Sequence, residues 1–126
     1  MKKALFLMTL AAFLLLTSCT TQIGWVGIRY DNTVDLSYRS FNGRQIERFR
    51  LDGGQKYTLD YDVICTDGML TLQVTRPDGS LAWEATFNQD TQGSFEYLSS
   101  SGGLYTLRIL GDDTRGGVQF HWQLEN

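Results

Sequence analysis

From Ile23 onward, apolar residues recur at every second position, and no stretch shows helical spacing. Val34, Leu36 and Tyr38 alternate with Asp35, Ser37 and Arg39, Phe49 and Leu51 with Arg48 and Arg50, and Tyr57, Leu59, Tyr61 and Val63 with Thr58, Asp60 and Asp62. The pattern continues through Leu70-Leu72-Val74, Leu81-Trp83-Ala85-Phe87, Phe95-Tyr97, Tyr105-Leu107-Ile109 and Val118-Phe120-Trp122-Leu124. Successive side chains of a strand point to opposite faces, so each run predicts a strand with one buried and one wet face. With the less regular segment from Ile23 to Tyr30, the pattern predicts about nine strands.

Turn-forming residues separate the runs: Asp31-Asn32, Asn42-Gly43, Asp52-Gly53-Gly54, Asp67-Gly68, Pro77-Asp78-Gly79, Gly102-Gly103 and Gly116-Gly117. Pro77-Asp78-Gly79 suits a type I turn followed by a left-handed glycine. Short strands at this spacing, each with one apolar face, predict an all-β fold, a two-sheet antiparallel β-sandwich. A small closed β-barrel has the same one-faced alternation and is the alternative. Residues 45–51 and 56–64 are expected to form a hairpin that places Asp52 opposite Lys56, Phe49 opposite Leu59 and Arg48 opposite Asp60. Opposite charges across strands favour that register by about 0.2–1 kcal/mol per pair.

The longest apolar run lies outside this pattern. Lys2 and Lys3 precede Ala4–Thr17, in which only Thr9 and Thr17 are polar. A bilayer span needs about 20 apolar residues, so this segment reads as the hydrophobic part of an export signal. Leu16-Thr17-Ser18-Cys19 resembles the bacterial lipobox, in which the cysteine receives a diacylglyceryl group and becomes the first mature residue. The resemblance implies residues 1–18 as a cleaved signal peptide, 19–22 as lipidated cysteine and short tether, and 23–126 as the β-sandwich domain. It further implies a lipid-anchored domain outside the cytoplasm, on the cell membrane or an outer membrane. A tether of Thr20, Thr21 and Gln22 reaches about 14 Å when extended, which keeps the domain close to its membrane.

The run from Phe49 through Gly54 to Val63, then Gly68-Met69-Leu70-Thr71-Leu72-Gln73-Val74, Pro77-Asp78-Gly79 and Gly103-Leu104-Tyr105-Thr106-Leu107-Arg108-Ile109, resembles the bacterial pre-peptidase C-terminal domain and related jelly-roll-like sandwiches. The likeness extends over residues 41–124. It implies a non-catalytic accessory domain, although no enzyme is attached here.

Composition narrows the chemistry. The 126 residues are 42% hydrophobic and 20% charged with a formal net charge of −3, which suits one domain with a real core and no nucleic-acid partner. Removing residues 1–18 takes away Lys2 and Lys3 and leaves 9 basic against 14 acidic residues. With Cys19 lipidated, Cys65 has no intrachain partner and reads as a small buried hydrophobe. The single histidine, His121, falls on an outward face between Gln119 and Gln123, and no nucleophile or zinc motif accompanies it. Asp60 and Asp62 share one strand face and are the only basis for a carboxylate hydrolase, the third of the readings.

No cofactor or metal is expected. Asp52, Asp67, Asp78, Asp112 and Asp113 lie in glycine turns that aspartate caps without a cation, with Asp112-Asp113 the pair to check. Most aromatics fall on apolar strand faces, which leaves Trp25, Tyr30 and Phe41 as the aromatics that could be exposed. The densest basic cluster is Arg39, Arg44, Arg48 and Arg50, facing solvent, an acidic partner or lipid headgroups. Together these readings describe a non-catalytic envelope lipoprotein that binds or supports another envelope component, a protein first. A carbohydrate-binding module with Trp25 and Phe41 as its platform is the alternative.

Overall fold

In a computed structural model, which describes residues 20–125, the chain forms seven strands and no helix among the described residues. They are β1 (Thr21–Ile23), β2 (Val26–Tyr30), β3 (Thr33–Leu51), β4 (Gln55–Thr75), β5 (Leu81–Phe87), β6 (Thr91–Ser99) and β7 (Gly103–Leu124). All pairings are antiparallel. β7 runs through the middle, flanked along its whole length by β3 and β4.

The seven strands differ from the nine expected chiefly because glycine-containing dipeptides interrupt alternation without ending a strand. The runs 34–38 and 49–51 are one strand, β3, as are 57–63 and 70–74 in β4, and 105–109 and 118–124 in β7. The segment Ile23–Tyr30 divides instead into β1 and β2. Asn42-Gly43, Asp67-Gly68 and Gly116-Gly117 are therefore bends within strands, where the ladder register shifts between Tyr38 and Gly43 and between Cys65 and Met69. Bulged residues bend a strand while pairing continues on either side. Gly116 shows why the residue type matters: its φ is +132°, and a Cβ there would lie 2.0 Å from the Ile64 carbonyl oxygen.

The bends fold the sheet into two leaves. The first leaf is β2, residues 33–38 of β3, 116–124 of β7, 57–65 of β4, and β6. The second is β1, residues 40–51 of β3, 103–111 of β7, 69–75 of β4, and β5. Aromatic side chains join them: Phe49 of the second leaf lies 4.6 Å from Trp122 and 6.0 Å from Phe120 of the first, and Trp83 stacks on Phe95 at 4.5 Å. Leu59, Val63, Leu70, Leu72, Leu107, Ile109 and Phe120 are wholly buried between the leaves. β1 and β2 do not pair with β5 or β6, so the structure is an open, jelly-roll-like sandwich and not a closed barrel.

The expected hairpin between residues 45–51 and 56–64 does not form. Phe49 pairs with Tyr105 and Arg48 with Thr106, while Leu59 lies between Phe95 and Trp122. Asp52-Gly53-Gly54 carries the chain from the second leaf to the first, and Gly53 packs against Gly102 of the other crossing turn. The Asp52 amide donates to the Tyr57 hydroxyl at 2.9 Å and ties the crossing to β4. Pro77-Asp78-Gly79 does close a hairpin within one leaf, with the Arg76 amide donating to the Ser80 carbonyl at 2.8 Å. Asp31-Asn32 closes another between β2 and β3, with Asp31 at a φ of +46°. Residues 1–19, including the export signal and Cys19, lie outside the described residues; Thr21 and Gln22, expected in the tether, belong to β1.

Candidate functional site

Residues paired across antiparallel strands share a face, so the register fixes what each leaf presents to solvent. Across the outer face of the first leaf, one row reads Tyr30, Thr33, His121, Asp60, Ser94 from β2 to β6. The next row reads Ile28, Asp35, Gln119, Asp62, Gln92. Asp60, Asp62, Gln92, Gln119 and His121 line a shallow cleft of about 240 Å³. The floor is held in place from below: Tyr61 packs on Trp83 and Phe87, and its ring covers Gly93, where a Cβ would lie 2.2 Å from the phenolic oxygen.

The side chains of the cleft are positioned by their neighbours. The Gln92 Nε2 donates to Asp62 Oδ2 at 3.2 Å, and the Thr33 hydroxyl is 2.9 Å from His121 Nδ1. The second contact fixes the imidazole plane and leaves Nε2 as its other hydrogen-bonding atom. Carboxylates accept, amides donate and accept, and imidazole does either, which matches vicinal hydroxyls that are themselves both donors and acceptors. At one margin stand Tyr30 and Ile28, 48% and 53% exposed, an aromatic and an aliphatic surface beside the polar band. The cleft is smaller than the roughly 300–1,000 Å³ of enclosed small-molecule sites, and it is open, so it suits part of an extended ligand.

The aromatics singled out from sequence do not form an exposed platform. Phe41 is wholly buried, because the bulges between Tyr38 and Gly43 turn it into the core. Trp25 is half-buried, stacked on Tyr38 at 5.6 Å and edge-on to Phe41 at 5.2 Å. It lines a second cavity of about 380 Å³ with Arg29, Gln45 and Glu47 at the open side of the sandwich, where Arg29 and Glu47 form an ion pair. Burial pushes the Tyr38 hydroxyl beneath it up to about 12; nearby Thr114 opposes the rise but completes no hydrogen bond with it.

Arg39, Arg44, Arg48 and Arg50 are all exposed, the last three along the outer face of the second leaf. Arg48 does not meet Asp60, which faces His121 and Ser94 instead. Cys65 is buried, with its thiol 3.4 Å from the Thr114 hydroxyl. Asp112 and Asp113 are exposed at the bend of β7, and no group of three or more potential ligands for a metal ion occurs among the described residues. The cleft was partly legible in the sequence: the outward face of Asp60 and Asp62, and that of Gln119 and His121, follow from alternation. That β4 and β7 are neighbours, and that β6 and β2 extend the face, required the register.

No family model matches the chain, and no curated protein matches it in sequence. Among solved structures, it is similar to a carbohydrate-binding module described as CBM4, at 10% identity over 82% of this chain and 79% of that one, with a TM-score of 0.50. It also aligns with the module CBM6cm-2 of Cellvibrio mixtus lichenase 5A, solved with cellotriose, at 13% identity over 87% and 94% of the chains, TM-score 0.45. A third is the C-terminal CBM6 of the Zobellia galactanivorans laminarinase LamC, at 12% identity over 80% and 90% of the chains, TM-score 0.47. At 10% identity the likeness to the first of these is one of fold alone: the chain is a β-sandwich, as that module is.

Proposed function

We propose that this protein is a lipid-anchored carbohydrate-binding module without catalytic activity of its own. The observation that carries the reading is the cleft on the first leaf, where Asp60, Asp62, Gln92, Gln119 and His121 converge, with the exposed Tyr30 and Ile28 on the same face beyond Thr33 and Asp35 of β3. Planar polar groups at strand spacing, about 4.8 Å apart, supply an array of donors and acceptors for the hydroxyls of a glycan laid across the sheet. Tyr30 and Ile28 supply apolar contact for the C–H face of a sugar ring. With Asp35, Asp60 and Asp62 on one face, the site favours neutral or amino sugars and repels uronic acids and sulfated chains. The fold likeness to the CBM4 module supports placing this reading ahead of a protein partner. Anchoring at Cys19 follows from the resemblance of Leu16-Thr17-Ser18-Cys19 to a lipobox.

Calorimetric titration with neutral oligosaccharides and uronic-acid oligomers tests the binding reading. Neutral chains are expected to bind and uronic-acid chains to fail. A hydrogen bond to a charged group contributes about 1.5–3 kcal/mol, so Asp62→Ala should weaken binding about 10- to 150-fold, and Gln119→Ala by less. Titrations with no heat for any neutral glycan, or an affinity untouched by both substitutions, would overturn it. The mass of the chain recovered from a bacterial membrane tests the anchor: cleavage before Cys19 with acyl additions is expected, and Cys19→Ala should abolish both.

A further inference from the structure

The two outer faces carry opposite charge. Asp35, Asp60, Asp62 and Glu96 stand on the first leaf with Lys56 paired to Glu96, while the second presents Arg44, Arg48, Arg50 and Arg108 with Glu84 and, at its bend, Asp112. Register places Arg108 opposite Ile46, between the rows of Arg44 and Arg48, so the four guanidinium groups spread over about 20 Å of β3 and its neighbour. The ion pairs among the described residues are Arg29–Glu47, Lys56–Glu96 and Lys56–Glu125, and none engages these four arginines. Exposed Leu104 lies on the same face, opposite Arg50.

We propose that this arginine face lies against an anionic lipid surface and so turns the opposite, acidic cleft away from the membrane. The first described residue indicates the occupant. Thr20 packs over Gly43, and the Arg44 amide donates to its hydroxyl at 3.5 Å, so the chain enters the fold at the end of the arginine row. Cys19 directly precedes Thr20 in the sequence, so on the anchoring reading above the acyl chains are attached one residue before this entry point. The mature chain is acidic overall, yet the leaves are about 10 Å apart and the Debye length at physiological salt is about 8 Å. The carboxylates of the far leaf are therefore largely screened, and the near face decides the sign of the interaction. Arginine retains its charge at any working pH and takes phosphate oxygens in pairs.

The test uses the full chain with vesicles of phosphatidylcholine alone or with 30% phosphatidylglycerol. A fluorophore at Thr106→Cys reports the arginine face and one at Gln92→Cys the cleft face, with quenchers carried by the lipid. Quenching at position 106 and not at 92, only in phosphatidylglycerol vesicles and reversed by salt, is the expected result. A basic residue near an anionic leaflet contributes about fivefold in partition, so Arg48→Ala with Arg50→Ala should weaken surface contact roughly 25-fold. Arg108→Gln is a second, single change with about a fivefold effect.

The mass of the chain and its flotation with phosphatidylcholine vesicles report the anchor separately. An unacylated chain that floats only with phosphatidylglycerol would overturn the Cys19 reading and support the arginine face. Equal quenching at both positions, none at 106 in an anchored chain, or retention of a soluble polyanion without any response to phosphatidylglycerol would overturn the proposal.

Discussion

Phe49 is the point at which the arrangement of the two leaves can be tested energetically. Its side chain is 4% exposed and lies 4.6 Å from Trp122 and 6.0 Å from Phe120, both on the opposite leaf. Truncating a buried phenylalanine to alanine costs about 3–5 kcal/mol, and each aromatic pair adds about 0.5–1.5 kcal/mol beyond area burial. A domain of this size is stable by about 5–15 kcal/mol, so Phe49→Ala should remove about a fifth or more of the total. The milder pair Phe49→Leu and Trp122→Leu allows a double-mutant cycle in urea, followed by far-ultraviolet circular dichroism so that loss of an indole does not disturb the signal. Contact across the leaves predicts a coupling of about 0.5–1.5 kcal/mol. In the hairpin that local alternation suggests, Phe49 would instead meet Leu59. Additivity of Phe49 and Trp122 within about 0.5 kcal/mol, together with coupling between Phe49 and Leu59, would refute the sandwich packing described here.

The remaining expectations concern the bend and one end of β4. Gly116→Ala should destabilise by about 2–5 kcal/mol, from left-handed strain of about 1–2 and overpacking of about 1–3 kcal/mol, read as a fall in Tm. An unchanged Tm would mean the bend does not need glycine. Glu125 is held below the ordinary glutamate range, first by the Thr58 hydroxyl donating to it and then by Lys56. A depressed carboxylate stabilises the fold above its unfolded pKa, about 4.3, and loses that contribution as pH falls through the folded value. The difference in urea midpoint between the native chain and Glu125→Gln should therefore shrink between pH 6 and pH 3; a constant difference would contradict the assignment. Cys65 should resist an alkylating reagent until the domain unfolds, checked by labelling with and without urea, since its thiol is buried beside Thr114.

What alternation determined by itself is the inside and outside of nearly every strand. Leu59, Val63, Leu72, Leu107, Ile109 and Phe120 were assigned to the core by period alone and are wholly buried. The polar partners of those positions, Asp60, Asp62, Gln119 and His121, were thereby placed on the surface where the cleft forms. Period two is a local property of extended backbone, so a single sequence suffices to read it.

Tertiary structure decided what lies beside what. Nothing local to Gly43, Gly68 or Gly116 distinguishes a hairpin turn from a bulge that bends a continuing strand, because glycine tolerates the backbone of both. That ambiguity merges six of the nine expected strands into β3, β4 and β7, and it hid the place of Phe41, which two register shifts rotate into the core. The neighbour of each strand is likewise a long-range choice, made by the whole apolar surface that must be covered and not by the turn between two runs. β3 therefore pairs with β7 instead of β4, and the carboxylates of β4 meet the amide and imidazole of β7 from the far end of the chain. The acidic cleft and the arginine face exist only because two leaves fold back to back, a relation that no stretch of residues contains.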